Sequence, residues 1–248
     1  MHQLTEFSEG GFSFLRGVFP YSQGVIAASG FAIERARFAR PVPVAEGFRR
    51  IAAHLESLGR PKTAFCACEL RSPRPFSFSG FGEFNQGYVA VLRDWGLVRD
   101  GLNAVARSNV APEFDPPAEP AFHAFSYTVP QDRACSSFVV AGSGEWPEGG
   151  RFPEDIVARG NVSESGMRAK SDWVLATMRD RMRGLGATAA DATITQVYTV
   201  HDIHPLMPAI VRLAPRASLC WHFCRPPIEG LDYEMDLRAV NLERVLGA

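Results

Sequence analysis

Two charged side chains in this sequence sit where a charge needs a reason. Arg107 lies in Ala106-Arg107-Ser108, between apolar positions of an extended segment. A guanidinium drawn out of water there must find a partner. Its planar fork of donors suits a carboxylate, held by two parallel hydrogen bonds. Glu234 lies between Tyr233 and Met235, so on a strand it faces the side opposite to them. If Leu231, Tyr233 and Met235 face the core, Glu234 meets solvent; otherwise it is a carboxyl group placed to move protons. Ser29-Gly30 closes a short apolar run, VIAASG. It is either a plain turn or a place where a backbone N–H is held out towards an anion. Asn85 on a helix and Tyr21 in the opening segment are read either as packed or solvated residues or as parts of a site.

Other patterns exclude chemistry. His201, Asp202 and His204 have no third ligand near them, so HDIH is a polar loop and no metal is expected. Cys66 and Cys68 point the same way from a strand, and without a second cluster they read as small buried residues; Cys220 and Cys224 read the same way. No G-x-S-x-G surrounds Ser143, and no phosphate loop or dinucleotide fingerprint occurs. No cofactor is expected.

The 248 residues suffice for one large domain or two small ones. With 26 basic and 27 acidic residues, nothing recommends a phosphate backbone as partner. No run approaches the ~20 apolar residues of a membrane span. The first residues, MHQLTEFSEGGFSF, lack a basic stretch followed by an apolar one. Five scattered cysteines, Cys135 among them, are no disulfide framework. A cytoplasmic protein is expected.

The elements that must carry these residues come in a repeated order. Val25–Gly30 is a strand. Val44, Phe48, Ile51, Leu55 and Leu58 mark a helix stopped by Gly59. Thr63–Arg71 is a strand, and Phe84, Tyr88, Val91 and Trp95 mark a second helix closed by Gly96. Segments 103–111 and 121–129 are strands joined by the turn EFDPPAEP. The second half repeats this with strands at Ser137–Ser143 and Ile156–Gly160, and a helix through Val174, Met178, Met182 and Leu185. A strand follows at Thr193–Val200, a short helix at Pro205–Leu213, and closing strands at Ser218–Phe223 and Leu231–Leu237. Repetition at this length points to duplication. The expected fold is α+β, with two tandem domains at 1–131 and 132–248 and a linker near Pro130 to Ala134.

Motifs in both halves resemble the RidA (YjgF/UK114) family. These are Pro20-Tyr21-Ser22, Ser29-Gly30, Asn85-x-x-Tyr88 and Arg107-Ser108 in the first half. In the second they are Ser143-Gly144, the segment G-A-T-x-x-D-A-T-I-T-Q-V and PPIEGLDYEMD. The resemblance covers most of 18–130 and 136–240. It implies a RidA-like (chorismate mutase-like) fold in each half, a mixed sheet with two helices on one face. It implies trimers, or a pseudo-hexameric arrangement of domains, with clefts between neighbouring units. It also implies hydrolysis of enamines or imines to ketones and ammonia. In that family an arginine holds the substrate carboxylate and a glutamate on the last strand positions water, which assigns Arg107 and Glu234.

The sequence departs from the family pattern. The first half has no glutamate near Phe122-His123, which leaves His123 as its only acid–base candidate there. The second half has Ser218 where the arginine belongs, with Arg216 two residues earlier, and lacks N-x-x-Y. A composite cleft follows, in which Arg107 and Asn85 of one half face Glu234 and Ser143 of another, with Tyr21, Ser29, Gly30 and Gly144 as further binding residues. The expected activity is deamination of a small carboxylate-bearing enamine or imine acid, an aminomuconate-like intermediate among them. The alternatives are a chorismatase-like lyase and a carboxylate-binding module without chemistry.

Overall fold

Alternating phenylalanines open the chain with a hairpin. β1 (Leu4–Phe7) and β2 (Phe12–Leu15) pair antiparallel, turned by Gly11 at φ 72°, a conformation glycine adopts freely. The computed structural model describes residues 3–132 and 136–247. After the hairpin come β3 (Gly24–Ala27), β4 (Phe31–Pro43), α1 (Val44–Ser57), β5 (Phe65–Arg71) and α2 (Phe78–Asp94). The first half ends with β6 (Val98–Arg99), β7 (Leu102–Asn103), β8 (Ala106–Pro112) and β9 (Ala121–Pro130). The second half holds β10 (Phe138–Gly144), α3 (Glu164–Leu185), β11 (Ile194–Tyr198) and α4 (Met207–Leu213). It closes with β12 (Ser218–His222), β13 (Cys224–Arg225), β14 (Glu234–Ala239) and β15 (Glu243–Leu246).

The described strands form two large mixed sheets, ordered β1-β2-β3-β10-β14-β11-β12 and β13-β8-β5-β9-β4-β15, and a small β6-β7 ribbon. Both large sheets draw on residues from either side of 131/132. β1, β2 and β3 extend the sheet of the second half, while β13 and β15 edge the sheet of the first. The helices cover one face of each sheet. Under α1 and α2, Phe48 packs edge-on to Phe65, Trp95 and Phe122, with ring centroids 4.9–6.4 Å apart. Under α3, Val174, Leu175, Met178, Met182 and Leu185 form a second core with Phe138, Tyr233 and Met235.

The sheets approach along β8 and β10, and the space between them is polar. Arg35 grips Glu69 with two hydrogen bonds, 2.6 and 2.9 Å, and Arg238 adds a contact at 3.5 Å. Burial alone would raise the Glu69 carboxyl, but Arg35 and Arg238 override it and hold it well below the usual range. Asp236 accepts from Ser108 Oγ (2.5 Å), Gln196 Nε2 (2.9 Å) and Tyr198 Oη (2.9 Å).

Several sequence expectations are corrected here. Residues 156–160 form turns, not a strand, and residues 4–15 and 31–43 form strands that the pattern reading left unassigned. Helix α3 starts ten residues before Val174, capped by Ser163, and α2 starts at Phe78, capped by Ser77. Of the expected linker, Arg133 and Ala134 lie outside the described residues, as does Cys135. Among the described residues, no helix is long and apolar enough to cross a membrane.

Candidate active site

The site begins on β8. Arg107 and Asn109 are two residues apart and share a face of the strand, while Ser108 points the other way to Asp236. Asn85 and Tyr88, three apart on α2, present neighbouring side chains over β8. Asn85 Oδ1 accepts from Arg107 Nη2 at 2.8 Å. The rings of Tyr88, Tyr21, Phe81 and Phe84 surround the guanidinium carbon at 4.8–5.9 Å. Their faces replace part of its lost hydration. Arg107 is only 3% exposed, and among the described residues its Nη1 meets no acceptor. A buried guanidinium donor left open is costly, and an anion at that point would complete it.

The opposite wall belongs to the other sheet. β10 and β14 pair so that Gly144 stands opposite Glu234, with a register shift between Val140 and Ser143. Gly142 lies in that irregular stretch, and a Cβ there would collide with Glu234 Oε1. The missing side chain makes room for the carboxyl group. Glu234 is 4% exposed. Burial first, then Asp236 beside it, pushes its pKa well above the usual value, against the pull of Arg107 and Arg71. The shift favours the protonated form, the one that can donate a proton. Tyr21 keeps its proton too, pushed up to about 12 by burial and by Glu148.

A buried ion cluster sets the approach to Glu234. Glu145 accepts from the backbone N–H groups of Asp232 (2.6 Å) and Tyr233 (3.1 Å). Lys170, fully enclosed, reaches Glu145 and Asp232, both at 3.1 Å, and the Val157 carbonyl. The residues before Glu234 are thereby tied to the loop after Ser143-Gly144. On the rim, Arg181 donates to the carbonyls of Ala141 (2.9 Å) and Gly142 (3.2 Å) and to Glu148 (2.6 Å). Phe78 stacks on Phe152 at 4.6 Å with Trp146 edge-on to both, joining the start of α2 to the loop after β10.

These walls enclose a cavity of about 360 Å³ with a mostly apolar lining, at the small end of the usual ligand-site range. Arg107, Asn85, Tyr21, Ser143, Gly144 and Glu234 all line it, from both halves of one chain. Three other residues singled out in the sequence lie elsewhere. Ser29 and Gly30 form an exposed turn between β3 and β4, where Gly30 adopts φ 82° and its carbonyl accepts from the Gln131 N–H at 2.9 Å. His123, on β9, is absent from the cavity lining. Burial, then Arg71, pushes it down to about 3, which leaves it neutral and unsuited to proton transfer near neutral pH. The sequence reading missed Asn109, though it follows Arg107 at the strand period of two. It also missed Gly142 and the Lys170–Glu145 pair, for which no local signal exists. Among the described residues, no three His, Cys, Asp or Glu side chains converge as metal ligands.

The fold overlaps a chorismatase crystal structure with a TM-score of 0.51 at 10% identity, over 96% of this chain and 79% of that one. The likeness is one of α+β architecture. A conserved Rid-family protein, YyfB from Yersinia pestis, overlaps only 45% of the chain at a TM-score of 0.33 and 20% identity, too loosely to define a fold. A 2-amino-5-chloromuconate deaminase of Comamonas testosteroni is 47% identical over 252 residues, covering 99% of this chain and all of that one. Site and likeness together define an enzyme of the deaminase class. The chain belongs to the family described as 2-aminomuconate deaminase CnbZ, which matches residues 4–244. That family is distinct from the RidA family that the short motifs resemble.

Proposed function

We propose that this enzyme hydrolyses a 2-aminomuconate-type enamine acid to the 2-oxo acid and ammonia. The observation that carries the reading is the pairing, in one cavity, of a caged arginine with an open donor and a buried carboxyl group. Arg107 Nη1 takes a substrate carboxylate, with Asn85 fixing the guanidinium plane. Orientation of this kind supplies a large share of a barrier reduction. The neutral Glu234 protonates the enamine at carbon, giving the iminium. The resulting carboxylate then takes a proton from the water that adds to the C–N carbon. Passing that proton to nitrogen releases ammonia, and the carboxylate takes the hydroxyl proton as the C=O bond forms. One water is consumed, one ammonia leaves, and Glu234 ends as it began.

The relative's name and the family's description support the substrate class. In this reading the halves are RidA-like units sharing one composite cleft, with trimeric assembly to be read from the mass in solution.

The test is ammonia release from freshly generated 2-aminomuconate. Glu234→Gln is expected to lose about 10²-fold or more in rate, the scale of acid–base catalysis. Arg107→Ala is expected to fall chiefly through a raised KM. Full activity in folded Glu234→Gln protein would sink the mechanism.

A further inference from the structure

Arg107 is not the only cavity residue with an open donor. Asn109 lines the same cavity and is 3% exposed. Its Oδ1 accepts from Ser72 Oγ at 3.0 Å. Ser72 is itself fully buried and anchored through its N–H to the Val110 carbonyl at 2.9 Å. The amide is therefore held in one orientation, and among the described residues its Nδ2 meets no acceptor.

Two open buried donors thus stand on alternate residues of one strand face. Strand geometry separates the Cα atoms of such positions by about 6.6 Å. An extended six-carbon diacid places its terminal carboxyl carbons about 6–7 Å apart, from five bonds of roughly 1.5 Å each. Arg181, the cavity's other arginine, has its outer nitrogens committed to two carbonyls and Glu148, and its Nε, open among the described residues, comes from α3, away from this strand face.

Resting on the deaminase reading above, we propose that Asn109 Nδ2, locked by Ser72, is the subsite for the substrate's distal carboxylate, so that this cavity selects dicarboxylates. An analogue ending in a methyl group would leave the buried amide unpaired, and sites built to hydrogen-bond a substrate discriminate strongly against ligands lacking the partner.

The experiment is calorimetric titration of the intact protein with two probes of equal chain length, (2E,4E)-hexa-2,4-dienedioate and (2E,4E)-hexa-2,4-dienoate. Wild type is expected to bind the diacid at least about tenfold more tightly. Asn109→Asp keeps the acceptor for Ser72, replaces the donor with a negative charge, and should abolish that preference. Asn109→Ala, which adds no charge, should also abolish it, and answers if Asn109→Asp fails to fold. Equal binding of both probes by wild type, or a tenfold preference surviving in the folded variants, overturns the subsite. Wild type that binds neither probe, or Arg107→Ala that binds both unchanged, instead removes the carboxylate clamp itself, and this inference with it.

Discussion

A carboxyl group enclosed on every side holds its proton longer than one in water, and Glu234 is so enclosed. Its pKa is raised above the unfolded value, so the folded protein keeps a proton that the unfolded chain has already released. Stability from this group is full below the ordinary carboxylate range and is lost as pH rises towards the raised value. Glu234→Gln stays neutral throughout. Its Tm should match wild type in acid and exceed it increasingly as pH climbs through that window. Each kcal/mol is worth about 2–4 °C in a chain of this size. The same variant therefore gains stability while losing activity, and a pH-independent Tm difference measured by calorimetry would refute the buried neutral acid. Arg107 and Glu234 were legible as types. Yet the alternation of Tyr233 and Met235 with Glu234 pointed to a solvated glutamate as one of two open readings. That inference fails because β14 is buried on both faces, apolar residues under α3 and acidic ones between the sheets.

At the scale of elements, the placement of Glu234 depends on what ties the start of β14 to the loop after β10. Lys170 from α3 meets Glu145 and Asp232 out of water. Removing one partner of such a group leaves an uncompensated buried charge. Lys170→Met is expected to cost about 3–5 kcal/mol in denaturant unfolding, with part regained in Lys170→Met/Glu145→Gln. Loss in the single variant no larger than in the double would show the cluster to be incidental. Helix α1 and strands β5, β8 and β9 were legible from periodicity, because their apolar faces are regular. Strand β4 was not, since Glu34, Arg35, Arg37 and Arg40 interrupt it. Two of these charges are matched by partners from distant segments: Arg35 meets Glu69 and Arg244 meets Glu34.

At the scale of the molecule, each sheet borrows strands from the other half. The β1-β2-β3 strands join the other half's sheet through β3, which pairs with β10, and β15 pairs with β4. Fragments 1–131 and 132–248 expressed separately would each expose an unpaired sheet edge and half a cavity. They are expected to lack cooperative unfolding and to bind no carboxylate. Two independently folded fragments, each with a sharp thermal transition, would contradict the exchange. What the sequence by itself determined was the α+β pattern, and an arginine and a glutamate fit for carboxylate chemistry, because residue type and period are local properties. Only the tertiary structure decided that Arg107, Asn85 and Tyr21 meet Glu234, Ser143 and Gly144 in one chain. It also placed Ser29, Gly30 and His123 outside that cavity, and exposed the open donor on Asn109. Those facts depend on which strands lie side by side and on what each buried polar atom finds within hydrogen-bond reach, and no local spacing encodes either.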